Sequence, residues 1–250
     1  MSAEIFLGTQ GWAYKSWVGS FYPAGTPSGN FLAEYAQRFA VIEIDSTYYG
    51  TPRAHSVEQW RAAVPADFRF TAKFPQTITH AKMLTDAERE TQEFLAVMAL
   101  LGDKLGPLLL QFPSTFKAAQ SATLARYLAG LPTQFRYAVE VRDRAWLREP
   151  FFDLLAQHRV AYALSDYGDL PRVARATTDF AYVRLLGNRQ QIADAQFDRV
   201  RLNRDADLER WGKLIRELHA QGVTVWGFVN NHYQGHSPAT VRALRERIFV

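Results

Sequence analysis

Residues 41–74 read VIEIDSTYYGTPRAHSVEQWRAAVPADFRFTAKF, and the fold follows from this stretch. Val41–Asp45 is an apolar, strand-like run, Ser56–Ala63 fits a helix, and Arg69–Lys73 is a second strand-like run after the short link Val64–Phe68. Strand, helix and strand in so compact a span predict a parallel β/α unit. The same alternation recurs along the chain. Further strand candidates are Ile5–Thr9, Leu108–Phe112, Tyr137–Val141, Ala161–Ser165, Ala181–Leu185 and Thr224–Val229.

The intervening segments carry helix signals. Leu208, Trp211, Leu214, Ile215 and Leu218 recur at helical spacing after Asp205, which fits an N-cap. Thr85 and Glu88 have capping-box spacing ahead of Phe94, Leu95, Val97, Met98 and Leu101. Ser237-Pro238 reads as an N-cap followed by proline at the first helical position. Further helices are expected over Asn30–Phe39, Ala119–Ala129 and Trp146–Gln157, with a weaker one at Asp169–Ala176. Helix-to-strand links are short, whereas Gln10–Gly29 and Gly187–Arg204 are long strand-to-helix loops. The expectation is a single (β/α)8 TIM barrel over residues 1–250, with its site at the carboxyl ends of the strands. A doubly wound open sheet is the alternative, and no GxGxxG or GxxxxGK[ST] stretch supports a nucleotide-binding version of it.

Composition sets outer bounds. The 250 residues are 48% hydrophobic and 14% aromatic, enough for one large core. With 29 basic and 25 acidic side chains the net charge is +4, a mild bias toward anionic partners and no phosphate-tracking basic block. The absence of cysteine excludes disulfides, thiolate metal sites and a cysteine nucleophile. The opening MSAEIFLGTQG lacks a basic segment followed by a long apolar run, and no stretch is apolar enough to span a bilayer. A cytoplasmic protein with no membrane partner is therefore expected.

The strongest chemical signal is where charges fall within strands. Side chains at i and i+2 share a side. In Ile42-Glu43-Ile44-Asp45 the isoleucines face one way and the acids the other. Val139-Glu140-Val141-Arg142 repeats the pattern, Thr71 and Lys73 alternate with Phe70 and Phe74, and Val183 opposes Tyr182 and Arg184. Leu164 is followed by Asp166, while Gln111 and Asn230 stand beside strand-end phenylalanines. The apolar side belongs against the helices, so Glu43, Asp45, Glu140 and Asp166 are expected to meet Lys73, Arg142 and Arg184 inside the barrel's upper end. Ionised groups removed from water are costly unless paired or liganded. The cluster is therefore either a self-satisfied ion-pair network or a ligand site.

With these residues in view the chain resembles the YecE-like family, domain of unknown function number 72. The motifs that carry the resemblance are Gly8-Thr-Gln-Gly-Trp-Ala-Tyr14 with Trp17, Ile42-Glu-Ile-Asp-Ser-Thr-Tyr-Tyr49, and Phe68-Arg-Phe-Thr-Ala-Lys-Phe-Pro75 with Ile78-Thr-His80. Leu105-Gly-Pro-Leu-Leu-Leu-Gln-Phe-Pro113, Ala138-Val-Glu-Val-Arg-Asp143 with Trp146, Tyr182-Val-Arg-Leu185 with Gly187, and Asn230-Asn-His232 with Gly235 complete the set. The resemblance implies a barrel and a site, without an activity. Leu186 stands where the family pattern usually has histidine, and Asp45 stands where asparagine is common.

Several chemistries remain open. In an acid/base site on a small carboxylate, phosphate or sugar phosphate, Arg142 and Arg184 clamp the anion. Glu140 or Glu43 is then the base and His80 or Lys73 the acid. Gln10, Trp12, Asp45, Tyr48, Gln111, Asn230, Asn231 and His232 are expected ligand contacts. A divalent metal, Mg2+ or Mn2+, held by Glu43, Asp45, Glu140 and Asp166 near His80 or His232, would suit phosphoester hydrolysis, including a nuclease, or sugar isomerisation. Glu43 and Glu140 also invite a glycosidase reading, with Trp12, Tyr14, Trp17, Tyr48, Tyr49 and Trp146 as walls. Lys73 could act as a Schiff-base lysine, although Glu140 and Asp166 are expected to keep it protonated. A non-catalytic module binding a ligand or nucleic acid would use Lys15, Arg53, Lys82, Arg189 and Arg199 on the loops. Trp146 is expected to pack behind the site.

Overall fold

Alternating β-branched and aromatic residues drive eight short strands to pair in chain order, and the ring closes. The computed structural model describes residues 3–168 and 170–249. Its strands are β1 (Ile5–Gln10), β2 (Val41–Ile44), β3 (Arg69–Lys73), β4 (Leu105–Gln111), β5 (Tyr137–Glu140), β6 (Ala161–Asp166), β7 (Phe180–Leu185) and β8 (Thr224–Val229). Every neighbouring pair is parallel, and β8 pairs back onto β1. Around them lie α1 (Phe31–Ala36), α2 (Ala54–Ala62), α3 (Glu88–Met98), α4 (Ser121–Ala129), α5 (Glu149–Gln157), α6 (Asp205–Ala220) and α7 (Ser237–Ile248). This is the expected TIM barrel. Among the described residues no helix is long and apolar enough to cross a membrane.

Three expected caps shift by a residue or are replaced. His236, not Ser237, caps α7, its Nδ1 accepting from Ala239 N, so Ser237 and Pro238 fall inside the first turn. Asp205 is the first residue of α6, and the Asn203 side-chain Oδ1 accepts from its N–H at 2.9 Å. The Thr85–Glu88 capping box does not form, because Asp86 turns through positive φ and the helix begins at Glu88. The weak helix at Asp169–Ala176 is absent over 170–176, and its first residue lies outside the described set. Pro171 lacks the N–H that a helix would use, and the segment instead makes isolated turns such as Leu170 N to Tyr167 O.

Two apolar clusters follow from strand parity. The larger lies between strands and helices and takes Ile42, Ile44, Leu108, Leu110, Val139, Val141 and Val183. The smaller fills the lower barrel interior with Val41, Leu109, Ala138, Ala161, Ala163, Phe180, Tyr182, Trp226 and Phe228, against Phe6. Phe6 stacks on Trp226 with centroids 4.3 Å apart. With this floor packed by rings, only the upper end of the barrel can hold polar groups.

Strand β4 begins at Leu105, earlier than expected, and takes in Gly106 and Pro107. The indole of Trp226 occupies the space a side chain would need there, since a Cβ on Gly106 would sit 2.7 Å from its ring. Gly106→Ala should therefore overpack the barrel floor and cost about 1–3 kcal/mol. A thermal melt should show Tm falling on the order of 5 °C, with a change in tryptophan emission.

Candidate functional site

Strand parity carries Glu43, Arg184 and Glu140 from β2, β7 and β5 toward the barrel axis, and there they meet. Arg184 grips Glu43 in a fork, Nε to Oε2 at 3.0 Å and Nη2 to Oε1 at 2.8 Å. Its third nitrogen, Nη1, donates to Glu140 Oε2 at 2.6 Å. Tyr182 Oη donates to Glu43 Oε2 at 2.7 Å and lies 2.9 Å from Thr71 Oγ1. Arg142 closes the series through Nη2 on Glu140 Oε1. The order acid–base–acid–base cancels charge within a site where both glutamates are 0% exposed and Arg184 is 3% exposed. Burial opposes the charged form of Glu140, yet Arg142 and Arg184 hold its carboxyl below the usual range. Burial likewise disfavours charged Arg184, but Glu140 and Glu43 raise its pKa further still.

Above this network opens a cavity of about 920 Å³, lined by Gln10, Asp45, Tyr48, Lys73, His80, Gln111, Arg142, Asp166, Arg184 and Asn230 among the expected residues. Glu43 and Glu140 lie beneath it and do not reach its wall. The glycosidase arrangement fails for the same reason, since Arg184 bridges the two carboxylates that would have to flank a scissile bond.

Three further expected contacts fall outside the cavity wall. Trp12 packs edge-on to Trp60, with centroids 5.5 Å apart. Asn231 is buried, and its Oδ1 accepts from Trp17 Nε1, Ser237 N and Ser237 Oγ, tying the first loop to α7. His232 Nδ1 lies 3.0 Å from Ile192 O and its Nε2 3.2 Å from Asp194. It pins the 187–204 loop where Gly187, at φ +68, lets the backbone of His232 approach so closely that a Cβ would lie 2.2 Å from its carbonyl oxygen. Asp166 shares the outward parity of Leu164. It borders the cavity with its carboxylate turned to Arg172 at 3.2 Å. Trp146 is buried behind the site, its Nε1 donating to Phe116 O at 2.8 Å. Leu186, at the departure from the family pattern, contributes an apolar wall.

Within the cavity the charges are not balanced. Among the described residues no carboxylate oxygen lies within 4.0 Å of Lys73 Nζ. The ammonium instead faces the Tyr48 ring, 4.1 Å from its centroid. Burial, then repulsion by Arg184, pushes the amine down to about 7. Glu140 still favours the charged amine, as expected, but less than burial opposes it, and arginines hold both Glu140 and Asp166. Asp45 moves the other way: burial and the neighbouring Glu43 raise its carboxyl. Burial and then Lys73 lower His80 to about 4. His80 sits on a π-helical turn, Thr77–Ala81, with Nδ1 2.9 Å from Thr79 Oγ1.

Unpaired buried donors belong to residues of the same wall. Arg142 Nε and Nη1, and Gln10 Nε2, have no acceptor among the described residues. The guanidinium of Arg142 lies 3.5 Å over the Tyr167 ring, and both residues border the cavity. Arg189 and Arg204 join from the long loop and the start of α6. Arg204 carried no sequence signal, since its place depends on how α6 docks. Among the described residues no three histidine, aspartate or glutamate side chains converge as metal ligands. Glu43 and Glu140, expected for that role, are held by arginines.

Removing the shared base strands two buried acids. Arg184→Met should destabilise the fold by about 3–5 kcal/mol, a fall in Tm on the order of 10 °C. Glu43→Gln should cost less, and the two effects should be strongly non-additive in a double-mutant cycle by urea unfolding.

The description "Protein of unknown function DUF72" belongs to the family profile that matches residues 6–249. The UPF0759 protein YecE of Escherichia coli is 37% identical over 138 residues, which is 55% of this chain and 48% of that protein, so the match spans about half of that relative's length. The UPF0759 protein YunF of Bacillus subtilis is 27% identical over 98% of this chain and 95% of its own. Among solved structures, a DUF72 family protein of Thermotoga maritima superposes with a TM-score of 0.82 at 26% identity, covering 97% of both chains. A D-psicose 3-epimerase superposes at 0.55 with 12% identity, covering 97% of this chain and 95% of its own, a likeness of fold alone.

Proposed function

The chain belongs to the DUF72 family, and for this member we propose acid/base catalysis on a small anionic molecule, a carboxylate, phosphate or sugar phosphate. The observation that carries the reading is a cavity wall that brings Arg142, Gln10 and Lys73 together, with Arg142 Nε and Nη1 and Gln10 Nε2 left without protein acceptors. A guanidinium edge is shaped for two oxygens of one anion. Lys73, at about 7, exchanges a proton at physiological pH, and Asp45, with its carboxyl raised, is the matching acid. The glutamates keep the arginines in place.

A second reading, a nucleotide or strand end as the ligand, is favoured by one feature. Tyr49 and Tyr167 are 76% and 46% exposed at the cavity rim near Arg189, where a base could stack.

Thermal melts with a panel of small carboxylates, phosphates, sugar phosphates and short oligonucleotides, at fixed ionic strength, test both readings. An anion at about 100 times its dissociation constant adds ~2.7 kcal/mol, a rise on the order of 5 °C. Arg142→Met should erase it. A rise only with oligonucleotides would favour the second reading, and a panel no better than chloride would defeat both.

Lys73 also predicts a pH-dependent stability. Its amine is at about 7 in the fold against 10.5 ordinarily, so the unfolded chain binds the proton more tightly. Stability is then lost as pH falls from about 10.5 toward 7, and the cost is complete below that. Lys73→Met should melt higher than the wild type at pH 6, and the gap should close as pH rises toward 10.

A further inference from the structure

Lys73 makes no ion pair within 4.0 Å among the described residues, and Glu140 and Glu43 attract it only from a distance. Glu43, Arg184, Glu140 and Arg142 form a closed alternating series, and two acids are already matched to two guanidinium groups. Lys73 leaves the end of β3 on the same inward parity as Thr71 and projects into the cavity. Its Nζ rests on the Tyr48 ring, with Arg142 and Arg184 close enough to repel a second cation.

A primary amine that gives up its proton near neutral pH in a partly dry cavity is a nucleophile toward carbonyl carbon as well as a base. Resting on the anion-holding reading above, we propose that Lys73 forms an imine with a small aldehyde or ketone whose carboxylate or phosphate sits on Arg142. The amine pair attacks the carbonyl carbon, the C–N bond forms, and the carbonyl oxygen takes the proton that Nζ loses. The carbinolamine hydroxyl then leaves as water with a proton from Asp45, and the nitrogen pair completes the C=N bond. The step consumes one proton, releases one water and changes no oxidation state. It turns a neutral amine into a cationic iminium, a change unfavourable beside two arginines unless the substrate brings a negative charge. That requirement is why the carbonyl compound must itself be anionic. Asp45 is suited to protonate the leaving hydroxyl because burial and Glu43 keep its carboxyl raised.

Glyoxylate, a very small anionic aldehyde, is the probe. The full chain is incubated with glyoxylate and cyanoborohydride at pH 7, and carboxymethylation is mapped by peptide mass spectrometry. Acetaldehyde serves as an uncharged control. An ordinary lysine is neutral in only about one molecule in 2,500 at that pH, so Lys73 should react at least about tenfold faster than the exposed Lys15 and Lys213. Arg142→Met should slow glyoxylate much more than acetaldehyde, which loses only the repulsion that Arg142 exerts on the ammonium form. If Lys73 reacts no faster than Lys15 with either aldehyde while anions still raise Tm through Arg142, the imine is overturned and the acid/base reading stands. If Arg142→Met slows both aldehydes equally, the assignment of the anionic group to Arg142 fails. If neither anion stabilisation nor selective labelling occurs, both readings fall.

Discussion

A guanidinium enclosed in a barrel of parallel strands must find carboxylates, and Arg184 finds two. Its fork on Glu43 and its third nitrogen on Glu140 join β7 to β2 and β5 through the barrel axis. Stripping ions of water costs several kcal/mol each, so such a group persists only where charges cancel and hydrogen-bonding positions are filled. Tyr182 and Arg142 extend the network in both directions, and the result is a polar layer resting on the aromatic floor of Phe6, Phe228 and Trp226.

That layer sets the character of the cavity above it. Glu140 holds Arg142 by one nitrogen only, so the remaining edge is fixed in direction yet free of acceptors. With both glutamates engaged, Lys73 makes no ion pair among the described residues, and burial and then Arg184 outweigh the more distant attraction of Glu140 and Glu43. Asp45, two residues beyond Glu43 on the same inward side, is pushed toward its neutral form by the same crowding. A paired interior thus produces an unpaired lysine and a raised carboxyl in one chamber. The structural-network interpretation describes the paired layer, and the ligand-site interpretation is the one proposed for the cavity above it.

The loops complete the chamber through contacts that have little to do with chemistry. Asn231, His232 and Trp17 hold the first and seventh strand-to-helix loops to the start of α7, and Gly187 lets two backbones nearly touch. These residues stood out in the sequence because polar and aromatic side chains beside glycine also mark ligand sites. Here they position Arg189, Leu186 and Tyr167 around the opening instead.

Much of the protein was legible in its residues. The period-two alternation in Ile42-Glu43-Ile44-Asp45 and Val139-Glu140-Val141-Arg142 determined which side chains face the axis, because a strand's pleat allows no other choice. The repeated β/α pattern determined the barrel, and the long loops determined which end is open. Asp166 was misread because parity was taken from its polarity rather than from Leu164. The tertiary structure alone decided which acids pair with which bases, and therefore which group was left over. Glu43 and Arg184 are 141 positions apart, and no local pattern records a contact made across the axis. Whether a buried charge is matched or reactive depends on its distances to charges on other strands, and those distances exist only once the ring has closed.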